Sequence, residues 1–266
     1  HFRSALAVLR SPDHMVLLGE MSRNEQKKRV ARLMAQIGAN HVSCGRFAVG
    51  ERWLNRAERA LKGVRGVSRE RGLIAWGRAN LYRWKGWLGR ALQQAQRACN
   101  YFADIDDPEW YARIRAITAD IALDIAAMYV VGSAERRAYL KLAIVYGKEA
   151  PIDSHMEEDP GGESLGDLMQ LRWLRLGGDQ TDLSGPINLI AAEAEQADDP
   201  SLVCGAYLVL AEGQEEAQRY DDARDAFRAA IMWAKRSPIR AYLLWARQRL
   251  AAFNRRMERR KQQPEA

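Results

Sequence analysis

Few residues in this chain have the type and spacing that chemistry needs. His41 and Cys44 lie three apart, which puts both on one helical face at a spacing that metal ligands use. No second pair accompanies them among the four histidines and three cysteines, so no metal site is expected. His155 stands beside Glu157, Glu158 and Asp159 in a segment rich in Pro and Gly, which reads as a solvated acidic loop rather than a cation site. Gly162-Glu163-Ser164-Leu165-Gly166 matches the G-x-S-x-G pattern of a nucleophile elbow. That elbow needs a strand before it to hold the strained turn. Here an acidic breaker segment precedes the motif and a helical pattern follows. Ser164 with Asp167 therefore reads as a helix N-cap with an acidic partner. The sequence holds no P-loop, G-x-G-x-x-G or H-E-x-x-H motif. No catalytic residue and no cofactor is assigned, and the chain reads as non-enzymatic.

The elements that would position any site follow from composition. The 266 residues are 47% hydrophobic and 28% charged, enough apolar material for a folded core. Gly and Pro gather at a few places, leaving long uninterrupted segments that favour helices over many short strands. Cys44, Cys99 and Cys204 are far apart in sequence and fall within helical patterns. They are expected to be small buried hydrophobes without disulfide partners, which fits a reducing cytoplasm. No apolar run reaches the roughly 18 residues of a membrane span, so no membrane contact is expected. The chain begins with His1 rather than Met, which reads as part of a longer protein.

A 3.6-residue apolar period runs through nearly the whole chain. The clearest pair of helices is expected at 201–218 and 220–235, with Leu210, Ala211, Ala223, Phe227 and Ala230 on the faces that meet. A large–small step, a turn aromatic at Tyr220, then small, aromatic and small residues followed by Pro238 resembles the tetratricopeptide (TPR) unit, a hairpin of two helices. Gln218 stands where that family usually has Gly. Gly45, Phe47, Gly50, Leu54 and Ala57 fall in the same register. Ala79, Tyr82, Gly86, Leu88, Ala91, Ala95 and Ala98 do so as well. Weaker candidates join 114–131 through Gly132 to 135–149, and 165–176 through Gly177-Gly178 to 183–196. Asp106-Asp107-Pro108 and Asp198-Asp199-Pro200 each stand just before a new helix. The resemblance implies an all-α, right-handed superhelix of about five hairpins, capped by a helix at 239–261. The expected divisions are basic N-terminal hairpins over 1–150, an acidic Pro/Gly loop over 151–163, and further hairpins with the cap over 164–266. A non-repetitive helical bundle is the alternative.

In TPR proteins the first helices of the hairpins line a concave groove that holds peptides, and this sets the candidate site. On the second hairpin the equivalent stripe would carry Trp76, Asn80, Arg83 and Trp84. An Asn amide both donates to and accepts from a peptide backbone, and an Arg forks to a carboxylate. On the fourth the stripe would carry Arg172 and Arg175, and on the fifth Glu212, Glu215 and Glu216, a pattern suited to a ligand with separated charges. Ordinary core tryptophans and solvated charges are the competing reading of the same residues. Charge is polarised along the chain: residues 1–100 hold 20 Lys+Arg against six Asp+Glu, whereas 101–200 hold eight against 20. A basic first third, opened by Lys27-Lys28-Arg29 and Arg32, suits nucleic acid or an acidic partner. The tail from Arg255 to Lys261 is also basic, but no base-reading motif accompanies either stretch. The leading expectation is a peptide- or protein-binding scaffold, the interaction domain of a bacterial transcriptional regulator with a DNA-binding domain upstream. A direct nucleic-acid binder and a structural module that dimerises through its terminal helix are the alternatives.

Overall fold

A computed structural model describes residues 22–147, 160–178 and 182–262, with the backbone alone for 160–166. The described residues form eleven α-helices and no strand. They are α1 Arg23–Ser43, α2 Phe47–Ala60, α3 Ser68–Trp84, α4 Leu88–Ala103, α5 Pro108–Ala126, α6 Ala134–Gly147, α7 Pro160–Leu176, α8 Ser184–Gln196, α9 Pro200–Glu216, α10 Tyr220–Arg236 and α11 Arg240–Gln262. The chain divides into two compact units at Arg115/Ala116, a boundary inside α5. The fold is all-α.

Within the N-terminal unit, α1 packs against both α2 and α3, and α3 packs against α4. Within the C-terminal unit, α7 packs against α8 and α9, while α9 packs against α10 and α11. The first helix of one pair thus touches the first helix of the next, besides its own partner.

Three of the pairs close with one and the same turn. Gly45, Gly86 and Gln218 all have positive φ, at 73°, 76° and 61°. In each turn the next residue donates its N–H back across the turn: Arg46 to His41, Trp87 to Tyr82 and Arg219 to Gln214, at 2.8–2.9 Å. The left-handed residue ends the first helix and reverses the chain, as in a Schellman motif. Around these turns the same positions are buried. Gly38, Ala79 and Ala211 precede the turn, and Gly50, Ala91 and Ala223 follow it. Further on come Leu54, Ala95 and Phe227, then Ala57, Ala98 and Ala230. Small residues recur where two helix axes approach. At Gly50 the approach is tight: a Cβ there would lie 2.7 Å from Val42 Cγ2 and 2.8 Å from the Gly38 carbonyl oxygen.

Gln218 occupies a backbone region that costs an L-residue about 1–2 kcal/mol and glycine little. Part of that gain is offset by the greater freedom of glycine in the unfolded chain. Gln218→Gly is therefore expected to stabilise the protein by about 0.5–1 kcal/mol, read as a rise in the urea midpoint at unchanged slope.

The Asp-Asp-Pro segments behave alike. Asp106 and Asp198 both have φ of 50°, and the following aspartates cap the next helices. Asp199 Oδ1 accepts from the Ser201 and Leu202 N–H groups, and Asp107 Oδ1 accepts from the Trp110 N–H. Proline then supplies a first helical residue that has no N–H to satisfy.

Other details depart from the sequence expectations. Helix α5 stops at Ala126 rather than Val131, and Met128, Tyr129, Val130 and Val131 form an exposed turn. Helix α7 begins at Pro160, so Ser164 lies inside a helix rather than capping it, and Gly162–Gly166 has helical backbone with no strand before it. Residues 151–159 of the expected acidic loop, including His155, lie outside the described residues. Cys99 and Cys204 are buried, and burial pushes the Cys204 thiol up to about 12. Cys44 is exposed instead, because it is the residue that ends α1, donating its N–H to the Asn40 carbonyl just before the turn.

Candidate functional site

Helix α3 carries the first group of candidate residues, and its inner face explains their placement. Ile74, Ala75, Ala79 and Leu81 are buried against the neighbouring helices, and Gly72 and Gly77 let Phe102 and Leu54 approach closely. Trp76, Asn80 and Arg83 follow one another at helical spacing on a half-buried stripe, and Trp84 is buried. The Trp76 ring meets Trp110 edge-on at 5.4 Å, and Trp110 stacks on Phe102 at the same distance. The indole therefore has a fixed orientation. Its Nε1 is buried and has no hydrogen-bond partner among the described residues. Asn80 likewise makes no side-chain hydrogen bond among them, although it is only partly exposed. The Arg83 guanidinium lies 5.7 Å from the Trp84 ring centroid, a cation–π distance. The stripe thus carries a buried indole N–H, a half-buried amide with donors and an acceptor, and a guanidinium.

The second group lies in the C-terminal unit, where the sequence suggested separated charges facing a ligand. The structure pairs them with one another and with partners the sequence did not reveal. Arg172, 4% exposed, donates to Asp124 at 2.6 Å and to Asp120 at 2.9 Å. Arg175 reaches Glu212 at 2.8 Å and Glu216 at 3.2 Å. Arg249 joins the two halves, 2.9 Å from Glu212 and 3.3 Å from Asp124. Arg136 donates to the Leu176 and Tyr129 carbonyls and lies 3.6 Å from Glu216. Glu215 takes both nitrogens of Arg256 at 2.6 and 2.7 Å. Helices α5, α6, α7, α9 and α11 all contribute.

Electrostatics inside this network are dominated by mutual attraction. Burial alone would lower the Arg172 pKa, but Asp124, Glu212 and Asp120 outweigh it and hold the group above its ordinary value. Burial would raise the Glu212 pKa, and Arg249, Arg175 and Arg172 reverse that, keeping the carboxyl below its ordinary range. Asp120, Asp124 and Arg136 were missed from sequence. The only available signal was polar residues on otherwise apolar faces of α5 and α6, which does not name a partner.

No group of three or more His, Cys, Asp or Glu side chains converges as a metal site among the described residues. No helix among them is long and apolar enough to cross a membrane.

These features define a class: an all-α protein of paired helices, with a partly open polar stripe on α3 and a closed ionic network behind α7 and α9. The chain matches no protein-family model and no curated protein.

Proposed function

We propose that this protein is a TPR-like helical-repeat scaffold that binds an extended peptide or protein segment along the α3 stripe. The carrying observation is the Asn80 amide, which is half-buried and makes no side-chain hydrogen bond among the described residues. A half-buried amide without a partner is costly, and an extended backbone supplies both the carbonyl and the N–H that it lacks. Recurrence of one turn and one burial pattern in three hairpins supports the repeat reading. Arg83 adds selectivity for a carboxylate on the peptide. The ionic network is then a rigid support for α7 and α9 rather than a second reading surface, because its guanidiniums already hold carboxylates.

The test is calorimetric titration with peptides selected on the full chain from a random library. Asn80→Ala is expected to weaken binding about 10-fold, which corresponds to about 1.4 kcal/mol. Arg83→Ala should weaken only peptides that carry an acidic residue. Unchanged affinity in both variants would remove the reading.

A further inference from the structure

A second site lies in the N-terminal unit, on the first hairpin rather than on α3. The start of α1 and the end of α2 bound an open cleft of about 410 Å³, within the range of small-ligand sites. Arg23, Lys27, Arg59 and Lys62 line it together with Gln26, Val30 and Ala60, and no carboxylate is among the described residues that line it. None of the four cations forms an ion pair among the described residues, and only Arg59 makes a hydrogen bond there, to the Asn55 carbonyl. Their neighbours behave differently. Lys28 and Arg32 share Glu25, Arg32 also reaches Glu70, and Arg78 holds Glu58. Glu25, Glu58 and Glu70 are therefore already matched to other cations, while Arg23, Lys27, Arg59 and Lys62 face a single concavity.

One of them sits where a helix disfavours it. Arg23 is the first residue of α1, beside the positive end of its macrodipole. A cation there repels the helix end, and an anion in the cleft relieves that repulsion together with the crowding of the four charges. We propose that this cleft binds a row of phosphate groups, either on a nucleic-acid backbone or as a free polyphosphate chain. Four point and fork donors from α1, α2 and the turn after α2 grip successive phosphate oxygens without reading bases, as the lack of aromatic residues in the cleft requires. Of the basic run Lys27-Lys28-Arg29-Arg32, only Lys27 belongs to it.

Fluorescence anisotropy of a labelled 20-base-pair duplex, titrated with the full chain at 50 and 200 mM salt, tests the proposal. Tripolyphosphate serves as competitor. The fourfold variant Arg23→Ala/Lys27→Ala/Arg59→Ala/Lys62→Ala is expected to bind at least about 10-fold more weakly at 50 mM salt. The log–log salt slope should flatten by about two to four. Removing the same charge from α11, with Arg247, Arg255, Arg259 and Lys261 changed to Ala, should alter affinity less than about threefold. Circular dichroism checks that helix content is kept. Lys27→Gln/Arg59→Gln, a milder change, should show a smaller loss in the same direction. Duplex binding that survives excess tripolyphosphate assigns the site to nucleic acid; tripolyphosphate binding without duplex binding assigns it to free polyphosphate. No binding of either probe at 50 mM salt, or equal losses in the two fourfold variants, overturns the proposal. Asn80→Ala leaves all of these readings unchanged, so the two sites stand or fall separately.

Discussion

Asp124→Asn is expected to destabilise the protein by about 3–5 kcal/mol, because it leaves a buried guanidinium without its counter-charge. Asp124 is 2% exposed and serves two guanidiniums, Arg172 at 2.6 Å and Arg249 at 3.3 Å. A carboxamide keeps the shape but removes the charge. One of its two ends is an NH₂, which meets a guanidinium donor to donor. Arg172 cannot escape to water, since its side chain is 5% exposed, and its Nε already lacks a hydrogen-bond partner among the described residues. Asp120 compensates only in part, because it lies nearer the surface at 23% exposed. The expected result is a large fall in the urea midpoint.

Two comparisons separate this mechanism from general disturbance. Arg256→Gln breaks a better-formed bidentate pair with Glu215, but that Arg is 52% exposed, so the expected loss is about 0–1 kcal/mol. Asp124→Leu combined with Arg172→Met removes one charge of each sign and should recover most of the loss, since Arg249 keeps Glu212. A single variant no worse than the Arg256 change, or a double variant no better than the single, would contradict the account of the network. Acid acts on the same network. The Glu212 carboxyl sits below its ordinary pKa of 4.5, so its contribution is complete above that pH and is lost as pH falls through the folded value.

Gly50→Ala is the second large effect. The added methyl would stand 2.7 Å from Val42 Cγ2, 2.8 Å from the Gly38 carbonyl oxygen and 3.2 Å from the Val42 nitrogen. Two of those three atoms are backbone, so a rotamer change cannot make room. Helices α1 and α2 must move apart, and overpacking of this kind costs about 1–3 kcal/mol, with the upper end expected here. Gly89→Ala is the matched control, because nothing lies within 4 Å of a Cβ at that helical position. It should be neutral or stabilising by about 0.5 kcal/mol. Equal midpoints for the two alanine variants would show that α1 and α2 are not held at a close crossing.

How far the sequence could be read depends on the range of the interaction concerned. Helices α9, α10 and α11 fall within a residue or two of their expected limits, because capping, turn chemistry and apolar period act over a few residues and agree. Gly45, Gly86 and the two Asp-Asp-Pro segments are legible for the same reason. The end of α5 was not, since Met128–Val131 continues the apolar pattern although the helix has already stopped. Cys44 misled in the same way: its neighbours have helical period, but it stands at the terminating position. Gly38 escaped notice because its role exists only opposite Gly50. The ionic network is the clearest case. Arg172 meets partners 48 and 52 positions away, and Arg249 meets Asp124 across 125, separations over which residue type gives no register. On α3 the helical spacing of Trp76, Asn80 and Arg83 was legible because one helix determines it, but Trp84, expected on the same stripe, is buried.

The most direct test of that stripe asks whether Asn80 holds a peptide backbone. A selected peptide is scanned with single backbone N-methyl groups, and each is titrated against the wild-type chain and Asn80→Ala. At one position at least, methylation should weaken wild-type binding about 10-fold and the Asn80 variant less than twofold, since the hydrogen bond it removes is already gone. If every methyl group weakens both proteins by the same factor, Asn80 does not grip the backbone and the proposed binding stripe is wrong.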